Sequence, residues 1–309
     1  MFEIWNILQP LATFCLYLAM FNAAGGLIFE ILFRRQVPDA TQRHVARLIG
    51  ISAWAGLVLV GVRLSVAAGN LGGDFASMGD PVLLGLVMKS PLGMSSVLAG
   101  IGFAMITVID RVKARGELAA RVVAAATVLL SLTVTGHATT LGAITDVLLA
   151  LHLGGVAFWL GALLPLRQMC ATAGEGANAG AANDAANDAD SASVLADVAD
   201  RFGWIAQRVV AVLIVAGVTY AAILTGSVMA LLTTTYGLVL LAKIGLVAGL
   251  LGLAARNRFR IVPVLQAGDL SAVRQLRNSI DREIIFALAI LVMSSLLTTS
   301  LNLPMEIMG

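Results

Sequence analysis

Long apolar runs alternate with short clusters of charge along the whole chain. A helix needs ~20 predominantly apolar residues to cross a bilayer. Eight stretches meet that length: Ile4–Phe33, Val45–Ala68, Pro91–Ile109, Leu118–Gly136, Ala143–Leu166, Trp204–Gly226, Tyr236–Ala255 and Glu283–Leu301. They predict an all-α integral membrane protein, a single transmembrane domain over residues 1–309 built as a bundle of eight transmembrane helices. The first run is long for one crossing, so it is expected to tilt or to begin at the interface. It carries Glu3, lacks a basic leader and is followed at once by Arg34 and Arg35. A cleaved signal has the opposite polarity, so the expectation is a retained helix with its N-terminus outside.

The polar connections set the orientation. Alternate connections hold 17 of the 20 basic residues: Arg34, Arg35, Arg43 and Arg47; Arg111, Lys113, Arg115 and Arg121; Arg167, Arg201 and Arg208; and six arginines between Arg256 and Arg282. Lys89 falls on the opposite side, Arg63 near the outer end of the second span and Lys243 within the seventh. Basic residues stay cytoplasmic, so eight spans with both termini on the outer (periplasmic) side satisfy the pattern. An odd number of spans would break it.

Composition agrees and narrows the class. The 309 residues are 59% hydrophobic and only 12% charged, with a mean hydropathy of +0.92. Soluble domains carry about twice that charge, which excludes a cytosolic enzyme, a disulfide-stapled secreted domain or a disordered chain. Cys15 and Cys170 cannot make a disulfide framework. There is no nucleic-acid signature and no phosphate-binding GxxxxGK[ST] loop, hence no ATP.

Two cytoplasmic segments stand apart. Residues 171–200 contain AAND twice, six acids and no Lys or Arg, a composition that predicts a disordered acidic cytoplasmic linker. In 269–280, Asp269 is a candidate N-cap, and Leu270, Val273, Leu276 and Ile280 fall on one helical face. This predicts an amphipathic helix on the inner leaflet.

Ionisable groups inside a membrane are costly, and each asks for a reason. Glu30 can pair with Arg34 one turn on, and Glu283 sits at a helix mouth; both read as structural. The informative cluster surrounds the fourth and fifth spans. Thr135-Gly136-His137-Ala138 closes one, and Asp146, His152, Trp159, Gly161 and Pro165 lie in the next. Ala150, Gly154, Ala157 and Gly161 form a small-residue stripe that permits close packing, and Asp146 extends it by a turn. His152 and Trp159 share a face roughly opposite. Helix five is therefore expected at the centre of the bundle, with His152 inside the membrane and His137 at its outer boundary. Either imidazole could also serve only as a hydrogen-bond link between helices.

Several methionines, among them Met94, Met305 and Met308, fall in or near the outer half on this topology. Thioethers select Cu(I), and imidazole also suits copper; filling core gaps is the alternative use of methionine. Met305 and Met308 in the tail would make a capture point. Lys243 lies on the face of Tyr236 and could snorkel, pair with Asp146, or repel a cation and so control its passage.

Gly136-His137-Ala138, Asp146, His152 and Trp159-Leu160-Gly161-Ala162 resemble the central motif of the CopD copper-resistance membrane proteins. Thr233-Thr234-Thr235-Tyr236-Gly237 with Lys243, then Asn257-Arg258 and Leu276–Glu283, resemble its later hallmarks. The likeness is best over about residues 130–300. Ala162 stands where the family has a second Gly, and the acidic linker resembles an insertion. The resemblance implies a multi-pass protein of the bacterial cell inner membrane that handles copper ion, alongside a small periplasmic copper-binding protein of the CopC type. It makes His137 and His152 candidate ligands, Asp146 a ligand or supporting carboxylate, and Trp159 a packing or lining residue.

The function expected is a copper permease, a membrane transporter rather than an enzyme, moving the ion from periplasm to cytoplasm through a buried His/Met relay. The membrane potential would favour entry by ~2.3 kcal/mol per charge per 100 mV. Two alternatives stand beside it: a membrane b-type haem cytochrome, and a non-transporting copper chaperone or assembly factor.

Overall fold

The computed structural model describes residues 4–109, 117–134, 143–175, 182–225 and 232–299. Helices account for nearly all of them, and no strand occurs among the described residues. In chain order they are α1 (Trp5–Phe33), α2 (Asp39–Gly72), α3 (Pro81–Met88), α4 (Pro91–Ile109), α5 (Glu117–Leu130), α6 (Ala143–Glu175), α7 (Ala182–Thr225), α8 (Thr235–Arg256), α9 (Val262–Gln266) and α10 (Ser271–Thr299).

Among the described residues, six helical stretches are long and apolar enough to cross a membrane: Trp5–Phe33, Asp39–Gly72, Pro91–Ile109, Asp146–Gly174, Ala189–Thr219 and Thr235–Gln266. The other two expected spans correspond to α5, of which 14 helical residues are described, and to the second half of α10.

α1 is the hub, packing on α2, α5, α6 and α10. Its Leu16, Met20, Leu27, Phe29 and Phe33 are almost wholly buried. Short-range chemistry shapes the connections. Gln42 donates to the carbonyls of Arg34 and Val37, each at 3.1 Å, and so stitches the α1–α2 turn. Gly73 takes φ +82° to end α2, a conformation that favours glycine. Asp80 caps α3 by accepting from the Val82 N–H at 2.7 Å, with Pro81 at the first helical position.

Two sequence expectations are corrected. Residues 171–200 are not a linker over their described length: 171–175 complete α6, and 182–200 form the opening turns of α7. Ala192, Leu195, Ala196, Val198 and Ala199 are buried. Alanine is the best helix former, and the apolar positions 192, 195, 196 and 199 recur at helical spacing. Judging the segment by its acids alone hides that periodicity.

Likewise 269–280 is not a separate surface helix. α10 runs unbroken from Ser271 to Thr299, since no Gly or Pro interrupts it. Its Val273, Leu276 and Ile280 are buried against protein, within the main core, rather than laid on lipid. Leu270 does stay exposed, and Asp269 accepts from the Ser271 N–H at 2.8 Å as its cap position suggested.

Between α8 and α9 the chain makes a π-helical turn over Asn257–Ile261. Pro263 lacks an N–H and crowds the carbonyl four residues back, which loosens the ladder there. Such turns re-aim side chains and cluster at functional sites; this one carries Asn257 to the interior.

Candidate functional site

The site is organised by α6, which packs on α1, α7 and α10. On its α1 side the small-residue stripe brings the two backbones into contact. A Cβ added to Gly161 would lie 2.1 Å from the Gly25 carbonyl carbon, and one on Gly25 would lie 2.2 Å from the Ala157 oxygen. Only glycine fits both positions. Ala157 is fully buried in the same seam, whereas Gly154 faces open space.

On the opposite side, Trp159 is buried, sits edge-on to Phe202 of α7, and donates its indole N–H to Glu283 Oε2 at 3.3 Å. The other carboxylate oxygen of Glu283 accepts from Asn257 Nδ2 at 2.5 Å. Glu283 is only 3% exposed. One carboxylate thus ties α6, α10 and the π-turn after α8 together, beside a cavity of about 50 Å³ also lined by Phe202, Gly203 and Arg258. Arg258 pairs with Asp200 at the rim, so its charge is already balanced. Asn257 Oδ1 is buried with no hydrogen-bond partner among the described residues.

Nearer the N-terminal end of α6 lie the residues expected to meet the ion. Asp146 is in the first turn and His152 nine residues, ~13 Å, in from Ala143. Both are half-buried; Asp146 Oδ1 and His152 Nδ1 are buried with no hydrogen-bond partner among the described residues. Lys243, on α8, makes no salt bridge among the described residues. Tyr236, the second residue of α8, is buried against Leu297 of α10.

The placement of the other expected residues differs. His137, Met305 and Met308 lie outside the described residues. Met94 is 56% exposed on α4, a helix that packs chiefly on α2, α3 and α5, so it is not brought to the α6 groups. Among the described residues no three His, Cys, Asp or Glu side chains gather as a metal-binding group. Of the residues expected as ligands, those among the described residues are Asp146 and His152 on α6 and Met94 on α4.

Three features escaped the sequence reading. Glu283 is the junction of three helical segments rather than a mouth residue; its signal was a lone carboxylate opening an apolar run. Glu30 pairs chiefly with Arg121 of α5, which Glu117 also holds at 2.8 Å, while Arg34 stands 3.9 Å away. Arg63 is only 8% exposed, with Nη1 unpartnered among the described residues; its place inside an apolar run was the clue.

Apolar helices of membrane-spanning length, with a buried carboxylate junction and an imidazole whose Nδ1 has no partner among the described residues, mark a helical membrane protein. Comparison supplies the family. The family model for Copper resistance protein D matches residues 196–297, and that for the Copper resistance protein D-like N-terminal domain matches residues 1–147. Together they account for about four fifths of the chain, which belongs to the CopD family of copper-resistance membrane proteins. Asp146 falls within the N-terminal match, and Lys243, Asn257 and Glu283 within the other. His152 and Trp159 lie in the stretch between them. The search of curated proteins and of solved structures found no match.

Proposed function

We propose that this protein moves copper ions across the bacterial inner membrane, from periplasm to cytoplasm, through eight spans with both termini outside. His137 and the tail methionines Met305 and Met308 receive the ion, and Asp146 and His152 pass it inward. The observation that carries this reading is the pair of donors on α6, Asp146 Oδ1 and His152 Nδ1, buried and unpartnered among the described residues in a copper-resistance family member. A buried polar atom without a partner is costly, and a soft or borderline cation passing inward would satisfy first the carboxylate and then the imidazole. Lys243 opposes a resident cation near His152, which favours passage over storage. The clustering of basic residues in alternate connections supports the orientation.

Copper uptake into proteoliposomes holding the purified chain tests the proposal. His137→Ala and His152→Ala are each expected to abolish uptake while leaving thermal unfolding unchanged. Uptake equal to wild type in both variants would defeat the site assignment. A Soret band in the purified protein would replace the transporter with a haem protein, and stoichiometric copper binding without uptake would make it a chaperone.

A further inference from the structure

A cleft of about 530 Å³ opens between the end of α6 and the start of α10. Its apolar wall includes Cys170, Ala173, Gly174 and Val273; its polar wall is Arg274, Arg277 and Asn278. The acid beside it, Asp281, is held by Arg167 at 2.5 Å, so the two arginines set the charge of the cleft at about +2. Arg274 is exposed, Arg277 half-buried, and neither forms a salt bridge among the described residues.

The Arg167–Asp281 pair also marks depth. Arg167 is the first charge after the apolar run of α6, and Asp281 and Arg282 flank the start of that of α10. The cleft lies on the aqueous side of this pair. Cys170, Gly174, Arg277 and Arg274 are three to seven residues beyond it, or ~4–10 Å along a helix. The headgroup layer is ~5–7 Å deep on each face, so the cleft opens within it. Guanidinium forks match phosphate oxygens, and an apolar wall beside them suits glycerol and the first acyl carbons.

We infer that this cleft binds the headgroup of an anionic phospholipid, its phosphate on Arg274 and Arg277 and its glycerol against Val273 and Gly174. The site takes lipid from the basic face of the membrane and braces α6 against α10, next to the Glu283 junction. It is independent of whether the chain carries copper.

Native mass spectrometry of the purified full-length protein, titrated with phosphatidylglycerol or phosphatidylcholine, reads it directly. Phosphatidylglycerol is expected to bind in preference, and the Arg274→Gln/Arg277→Gln variant to bind it roughly thirtyfold more weakly, two arginines' worth of surface attraction. Gly174→Leu keeps both arginines and narrows the cleft; a Cβ there meets only Val273, at 3.9 Å. It should fold and lose the lipid, which decides the matter if the double variant does not fold. Equal binding of the two lipids, or retention in Gly174→Leu, would overturn the proposal. So would displacement by inorganic phosphate at the lipid's own affinity, which would make the cleft a free-anion site.

Discussion

α1 and α8 are both long, strongly apolar helices, yet the protein treats them differently. In α1, 61% of the most apolar 18-residue window is buried inside the protein; in the corresponding window of the stretch led by α8, none is. The reason is the side chains that meet neighbours. α1 carries Ala23-Ala24-Gly25-Gly26, which lets α6 and α2 approach its backbone. α8 offers Gly245 and Gly252, beside which an added Cβ would meet nothing within 4 Å, while one on Gly249 would meet Phe286. Apolarity selects for the membrane; smallness at the right register selects for the centre. Charge follows the same division. Glu30 of α1 has two arginines, while Lys243 of α8 has no salt bridge among the described residues.

The sharpest break of this comparison is a pair of glycine substitutions read by thermal unfolding in detergent. Gly25→Leu should cost about 3 kcal/mol or more, because the clash is with backbone that cannot move aside. Gly252→Leu should stay within about 0.5 kcal/mol of wild type. Equal losses would erase the distinction between centre and periphery.

Next in size is the charge contrast. Arg121→Ala strands Glu30 among packed helices and should cost roughly 3 kcal/mol, whereas Lys243→Met should leave the Tm unchanged or higher. A large loss on removing Lys243 would show that it has a structural partner.

Glu283→Ala leaves the Trp159 indole N–H and the Asn257 amide without their acceptor, at about 2 kcal/mol. Glu283→Gln retains one acceptor oxygen for the two donors and should recover about half of that stability. If both variants unfold alike, the junction depends on the charge of Glu283 and not on its hydrogen bonds.

The smallest expected effect concerns pH at the start of α10. Hydrogen bonds from the Ser271 side chain and backbone N–H hold the Asp269 carboxyl below its ordinary value of 3.8. The cap therefore stabilises fully above that ordinary value and is lost as pH falls through the lower folded one. Amide exchange at Ser271 should rise only in that acid window, and Asp269→Ala should remove the dependence.

Much of this was readable from residue order. The apolar runs, the central role of helix five and the cap at Asp269 followed from spacing and helix chemistry, and the small stripe at Ala157 and Gly161 identified the seam that Gly25 completes. What escaped was long-range pairing. Glu30 could be matched to Arg34 one turn away, but its main partner, Arg121, is 91 residues distant. Glu283 looked like the edge of a span because nothing local signals Trp159, 124 residues earlier.

The order of residues alone determined that this chain lives in a bilayer as helices, because span length and charge placement are properties of each segment against lipid and water. It also pointed to copper, through the residue types around helices four and five. Which helices touch, which charges are neutralised and where a cleft remains open were decided only by tertiary structure. Those outcomes depend on distances between segments far apart in the chain, and a one-dimensional pattern carries local periodicity but not the partner that each face will meet.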